Sequence, residues 1–170
     1  MEQAEVVALG FRYPFPGARE ELDSAVAGLA EGPVRREMER FSKAVGRLEL
    51  AEWEELHTRT LDLSPLFVPY VGHAMWGESY RRGAFMADLK AEMTRVGVDA
   101  GGELPDHLEP VLRYLAVAES LPPDLEAALP AAVAAMGGEL EKAEPGNPYR
   151  HLLAAVRRLV ARQGQSGARA

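Results

Sequence analysis

The stretch Pro33-Val34-Arg35-Arg36-Glu37-Met38-Glu39-Arg40-Phe41-Ser42-Lys43-Ala44-Val45-Gly46-Arg47-Leu48 decides the fold class. Val34, Met38, Phe41, Val45 and Leu48 fall at i, i+4, i+7, i+11 and i+14, one apolar stripe along an α-helix. Pro33 stands at the first helical position, where its fixed φ suits the helix and its missing N–H is not needed. The same period continues outward in both directions. Leu22, Val26 and Leu29 mark a shorter helix after the turn signal Pro14-Phe15-Pro16-Gly17. Leu50, Trp53 and Leu56 carry a similar face up to Thr60. Phe85, Leu89, Met93 and Val96 form a further stripe, stopped by Gly97. Leu108, Val111, Leu112 and Leu115 follow a proline-led start at Pro105, and Pro122-Pro123 opens a helix that Pro130 is expected to kink or divide. Asn147-Pro148 caps a last helix bearing Leu152, Leu153, Val156, Leu159 and Val160.

No segment alternates apolar and polar residues over a strand length, and neither Asn-Gly nor Asp-Gly marks a hairpin. No repeat of fixed period is present. The expectation is therefore one all-α domain of about eight helices over residues 1–162, with a small, polar, disordered tail over residues 163–170.

Composition narrows the function. A chain of 170 residues suits one domain with a real core. It contains no cysteine, which removes disulfides, thiolate metal sites, iron–sulfur clusters and thiol nucleophiles. The start Met1-Glu2-Gln3-Ala4-Glu5 has no basic n-region, and no apolar run reaches membrane-spanning length, so neither an export signal nor an anchor is expected. The net charge of −7 disfavours general nucleic-acid binding and favours basic partners.

Residues 62–77 depart from the amphipathic pattern. Leu63, Leu66, Phe67, Val68, Tyr70, Val71, Met75 and Trp76 place apolar groups on all sides, interrupted by Pro65 and Pro69. Two readings stand: a buried central helix, or a surface lining a groove for an apolar ligand or peptide. Tyr70 and Trp76 suit the second, since large rigid aromatics lose little entropy on binding. Catalytic signatures are missing. There is no phosphate-binding glycine loop and no Gly-x-Ser-x-Gly elbow. His57, His73, His107 and His151 show no paired ligand spacing, so neither metal nor cofactor is expected. His57 and His151 read as helix-surface or edge residues. His73 is expected to pack under Trp76 or to face the groove.

One short string carries more chemistry than its surroundings. Glu103-Leu104-Pro105-Asp106-His107-Leu108, after Gly101-Gly102, sets two carboxylates, a proline and an imidazole at the mouth of a helix. Pro105 and Asp106 are explained by helix initiation, through fixed φ and the helix dipole. His107 is not, because a protonated histidine is disfavoured at that end.

This string follows Gly77-Glu78-Ser79-Tyr80-Arg81-Arg82-Gly83, a helix and a glycine-bearing loop, and it precedes Val111-Leu112-Arg113-Tyr114-Leu115-Ala116. The arrangement resembles the nitrate reductase delta subunit family, the molybdenum-cofactor assembly chaperones. These are related to the system-specific chaperones of trimethylamine N-oxide and dimethyl sulfoxide reductases. Tyr13-Pro14, Leu61-Asp62 and Asn147-Pro148-Tyr149 extend the resemblance over most of the chain. Glu78 and Tyr80 depart from the family's Gly-Asp-x-Arg-x-Arg-Gly pattern, and Phe67-Val-Pro-Tyr70 replaces its Leu-Tyr-Leu-Thr run.

The resemblance implies an all-helical cytoplasmic chaperone without enzymatic activity. Its implied partner is the N-terminal segment of the catalytic (alpha) subunit of a membrane-associated nitrate reductase or related molybdoenzyme, held competent for cofactor insertion before membrane attachment. Asp106 as anion and His107 as a donor or acceptor near neutral pH are the leading site residues it implies. Glu103, Pro105, Asp62, Tyr70, Trp76, Arg81 and Arg82 complete the expected client-binding set. Arg81 and Arg82 read equally as solvated charges, with or without an ion pair to Glu78. They also read as an anchor for a client carboxylate or a pterin phosphate. A peptide-binding scaffold or a small-molecule-binding helical module is the alternative function. Monomer and dimer are both open.

Overall fold

In the computed structural model, which describes residues 2–167, each apolar stripe becomes a helix. The order is α1 (Glu2–Leu9), α2 (Ala18–Gly28), α3 (Pro33–Val45), α4 (Leu50–His57), a π-helical turn (Thr58–Asp62), α5 (Val71–Trp76), α6 (Tyr80–Arg95), α7 (Leu108–Val117), α8 (Pro123–Ala143) and α9 (Tyr149–Gly167). The fold is all-α, a single domain with one contiguous core. Among the described residues no helix is long and apolar enough to cross a membrane.

The stripe on α3 does what its period demands. Val34, Met38, Phe41 and Val45 are fully buried, while Leu48 lies past the helix end and is half-buried. Their principal partner is α9, which also packs on α8 and α1 and so holds three elements together. Phe41 meets the Tyr149 ring edge-on at 5.3 Å and the Trp53 ring at 6.4 Å, within the range where aromatic pairs add to plain area burial. Asn147 caps α9 as expected: its Oδ1 accepts from the Tyr149 N–H at 2.9 Å. Its Nδ2 donates to Thr60 Oγ1 at 2.9 Å, which ties the π-helical turn to the last helix.

The structure corrects three expectations, narrows a fourth and adds an element. α7 begins at Leu108, with His107 as its N-cap, so Pro105 and Asp106 precede the helix instead of opening it. Residues 62–77 are not a buried central helix. Beyond Asp62, where the π-helical turn ends, only Val71–Trp76 is helical, and Leu63 is 74% exposed while Phe67 and Val71 point into the core. Prolines at positions 65 and 69 explain this, since each removes a donor and biases the preceding residue to extended backbone. Pro130 lies inside α8 without dividing it. The tail expected to be disordered is helical up to Gly167; residues 168–170 lie outside the described residues. α1, for which the sequence carried no strong periodic signal, packs chiefly on α7, with Val6 and Val7 buried.

Candidate functional site

Two chain segments far apart in sequence meet at the mouth of α7. The Val71 N–H donates to the Asp106 carbonyl at 2.8 Å, and the Leu108 N–H donates to the Pro69 carbonyl at 2.9 Å. These bonds form an isolated antiparallel bridge between Tyr70 and His107. The bridge sets the two rings edge to face, with centroids 5.1 Å apart.

Behind the bridge lies a buried ion pair. Asp106 is 0% exposed and Arg82 only 5%. Arg82 Nε donates to Asp106 Oδ2 at 3.0 Å and Nη2 to Oδ1 at 3.4 Å. The Gly72 N–H supplies a further donor to Oδ2 at 3.1 Å. Arg82 Nη1 reaches Glu78 Oε1, and its guanidinium lies 5.4 Å from the Tyr70 ring centroid. Burial works against the charge on Arg82, but Asp106 and Glu78 outweigh it and raise its pKa above the ordinary value. A charge out of water survives only with partners of this quality.

Gly72 makes the approach possible. A Cβ there would sit 2.8 Å from Asp106 Oδ2, 3.0 Å from Arg82 Cγ and 3.1 Å from Phe85 Cδ1. The glycine is needed for space; its φ is not in the left-handed region.

His107 gains from its position in a way the sequence did not suggest. Its Nδ1 accepts the Glu109 N–H at 3.1 Å, satisfying one of the orphan donors of α7. That bond assigns the ring proton of the neutral imidazole to Nε2, which lies 3.7 Å from Glu103 Oε2. Burial, followed by the nearby His57, lowers the His107 pKa to about 4, against an opposing pull from Asp106 and Asp62. The imidazole is thus a neutral cap at neutral pH.

Above the bridge the site opens to solvent. Tyr70 Oη donates to Glu103 Oε2 at 3.0 Å. Burial first, then this hydrogen bond to Glu103, pushes the Tyr70 pKa up to about 12, so the phenol keeps its proton. Glu103 and Asp62 are both exposed carboxylates. Asp62 stands 4.0 Å from His57 Nε2.

The structure therefore gathers Tyr70, Arg82, Glu103, Asp106 and His107 into one cluster, with Pro105 buried beside them. Arg81 and Trp76 form a separate pair, the guanidinium 4.8 Å above the indole, and the indole packs edge-on against Phe85. Arg82 is neither a solvated charge nor an anchor open to a ligand. Asp106 faces inward, with its oxygens bonded to Arg82 and Gly72, so the surface carboxylates here are Glu103 and Asp62.

Some members escaped the sequence reading. His57 is buried, not on a helix surface, and its Nδ1 lies 2.9 Å from Tyr149 Oη. Burial lowers its pKa, against the pull of Asp62. His151 is half-buried, with Nδ1 3.0 Å from Glu37 Oε2. His73 packs on Glu78 at 3.0 Å. The hydrogen bond from His73, then the charge of Arg82, lowers the Glu78 pKa. Gly72 carried no signal beyond being a glycine in an apolar run. Among the described residues no three His, Asp or Glu side chains converge as a metal site. No family model and no curated protein matches this chain.

Proposed function

We propose that this chain is a cytoplasmic assembly chaperone, not an enzyme. It binds the N-terminal segment of the catalytic subunit of a nitrate-reductase-type molybdoenzyme and assists cofactor insertion before membrane attachment. One observation carries the reading beyond the resemblance. The two motifs that suggest the family, around Arg82 and around Glu103–Leu108, meet in space through the Arg82–Asp106 pair. The buried members brace the loops, and the exposed members face the client.

A basic client residue fits the outer layer. Glu103 and Asp62 supply negative charge, and the proton held on Tyr70 keeps its ring a neutral stacking surface. A charge-assisted contact of this kind contributes about 1.5–3 kcal/mol when shielded from water. Asp106, Arg82 and His107 act as positioning residues, setting the angle at which Tyr70 and Glu103 meet the client. The flanking apolar residues of the client lie along the exposed part of the Leu63–Tyr70 segment.

The test uses the N-terminal peptide of a nitrate-reductase-type catalytic subunit from the same organism and a scrambled peptide of equal charge. Calorimetry is expected to show specific binding that weakens with salt, since exposed charges are screened over about 10 Å at 0.1 M. It is also expected to show a negative heat-capacity change from apolar burial. Glu103→Gln is expected to weaken binding about ten-fold without changing the melting temperature, and to reduce molybdoenzyme maturation in cells. Equal binding of the scrambled peptide, or full maturation without the chaperone, would remove the proposal.

A further inference from the structure

The α8–α9 hairpin presents a surface of another kind. From Ala127 to Gly138, α8 contains no charged residue. Its inward side packs the core through Leu129, Val133 and Met136, yet Ala127, Ala131, Ala134 and Ala135 on the outward side are exposed. An exposed helix face ordinarily carries charged or polar residues, so about three turns without one are unusual.

Beside this face, α8 and α9 enclose a groove of about 570 Å³ lined by Pro130, Val133, Ala134, Ala154 and Val160. Arg157 and Arg158 stand on its α9 wall, both exposed. Neither makes an ion pair or hydrogen bond among the described residues. The chain's net charge is −7, yet the charged side chains lining this groove are Arg157 and Arg158, and no carboxylate lines it among the described residues.

We propose that this groove docks an amphipathic helix of a partner protein, its apolar face against the exposed Pro130 and Ala134 and its flanking carboxylates on Arg157 and Arg158. Small side chains on α8 let a second helix come to the separation of about 8–10 Å at which helices pack. The apolar floor supplies the contact area of a helix-in-groove complex. The arginines select the sign of the partner's charge, because like charges facing each other across an interface are penalised. The groove thus selects an acidic helix, whereas Glu103 and Asp62 select a basic segment, so one chain holds two ligands of opposite charge at separate places. The proposal is independent of the identity of the client at the acidic site.

The experiment uses the full chain and two labelled synthetic helices of about 18 residues, long enough to hold helical structure. Both carry leucines at i, i+3, i+4 and i+7; one is flanked by glutamates and the other by lysines. Fluorescence anisotropy is expected to show the glutamate helix binding about ten-fold or more tightly than the lysine helix, about 1.4 kcal/mol of discrimination. The double variant Arg157→Glu, Arg158→Glu is expected to reverse that order. Ala134→Glu is expected to abolish binding of both helices, with an unchanged melting temperature because the position is exposed. Equal binding of the two helices, binding of neither, or an unchanged order in the charge-reversed variant would overturn the proposal. A concentration-dependent dimer that Ala134→Glu disperses would overturn it too, assigning the groove to a second copy of this chain.

Discussion

The α3–α9 interface and the junction at the mouth of α7 are both buried, yet they are built on different physical terms. At the first, α3 buries Val34, Met38, Phe41 and Val45, α9 buries Leu152, Leu153 and Val156, and the stabilisation is apolar area with little directional demand. At the second, a carboxylate, a guanidinium, one glycine N–H and a two-bond bridge must all coincide. Lost apolar area costs in proportion to what is removed. A polar network that loses one member leaves the others buried and unsatisfied, so its cost depends on what remains.

That contrast is sharpest at Asp106. Asp106→Ala leaves Arg82 charged and buried, and is expected to cost about 3–5 kcal/mol in chemical denaturation. Adding Arg82→Met is expected to recover much of that loss, since an apolar replacement of a buried pair is often neutral or better. Phe41→Ala is expected to cost a similar 3–5 kcal/mol through the cavity it leaves, with no second substitution of this kind to rescue it. A double variant no more stable than Asp106→Ala alone would erase the distinction between the two regions.

Acid should separate them next. His107 has a folded pKa of about 4, below the ordinary value of 6.5. The unfolded chain therefore binds a proton that the folded chain refuses. This stability is fully present above pH 6.5, falls as pH drops from there toward 4, and amounts to about 3 kcal/mol. His57, also lowered, acts in the same direction. Denaturation midpoints between pH 7 and 4 are expected to fall, and His107→Gln is expected to flatten the slope. An unchanged slope in that variant would place the acid sensitivity elsewhere.

Smaller effects test the geometry. Gly72→Ala forces a methyl into contact with Asp106 and Arg82 and is expected to cost about 1–3 kcal/mol by overpacking. The alanine variant melting with the wild-type chain would mean that the loops separate readily. Tyr70→Phe removes only a half-exposed hydrogen bond to Glu103 and is expected to cost about 1 kcal/mol or less. A larger loss in that variant would extend the buried network out to the surface.

The same contrast explains what the sequence revealed. The period-3.6 stripes disclosed α3, α6 and α9 because burying an apolar face imposes that spacing over many residues. Asn147 and Pro33 were legible because capping chemistry is local. The junction was half legible: the Glu103–Leu108 string marked the place but not the arrangement. A proline followed by an acid looks the same whether the helix starts at Pro105 or three residues later at Leu108. What moved the start was the bridge to Tyr70 and the ion pair to Arg82, both far away in sequence. His107 was misread because its charged form was considered at the helix end, whereas the neutral ring accepts a hydrogen bond there. Gly72 was invisible, since its role is defined only by the groups that press on it.

The bridge between Tyr70 and His107 also has a kinetic meaning. It closes a loop running from residue 70 to residue 107 that contains all of α6, and α6 packs chiefly on α5 within the same loop. Closing a loop of this length costs a few kcal/mol of chain entropy, about (3/2)RT ln n plus a constant. The α5–α6 contacts form without that cost, but the bridge and the Arg82–Asp106 pair do not. In hydrogen-exchange terms, the junction is then expected to open locally at a lower free energy than the α3–α9 core, although α5 ties the loop to α8. The amides of Val71, Gly72 and Leu108 are expected to lose protection together, at a lower opening free energy than the amides of Phe41 and Val156.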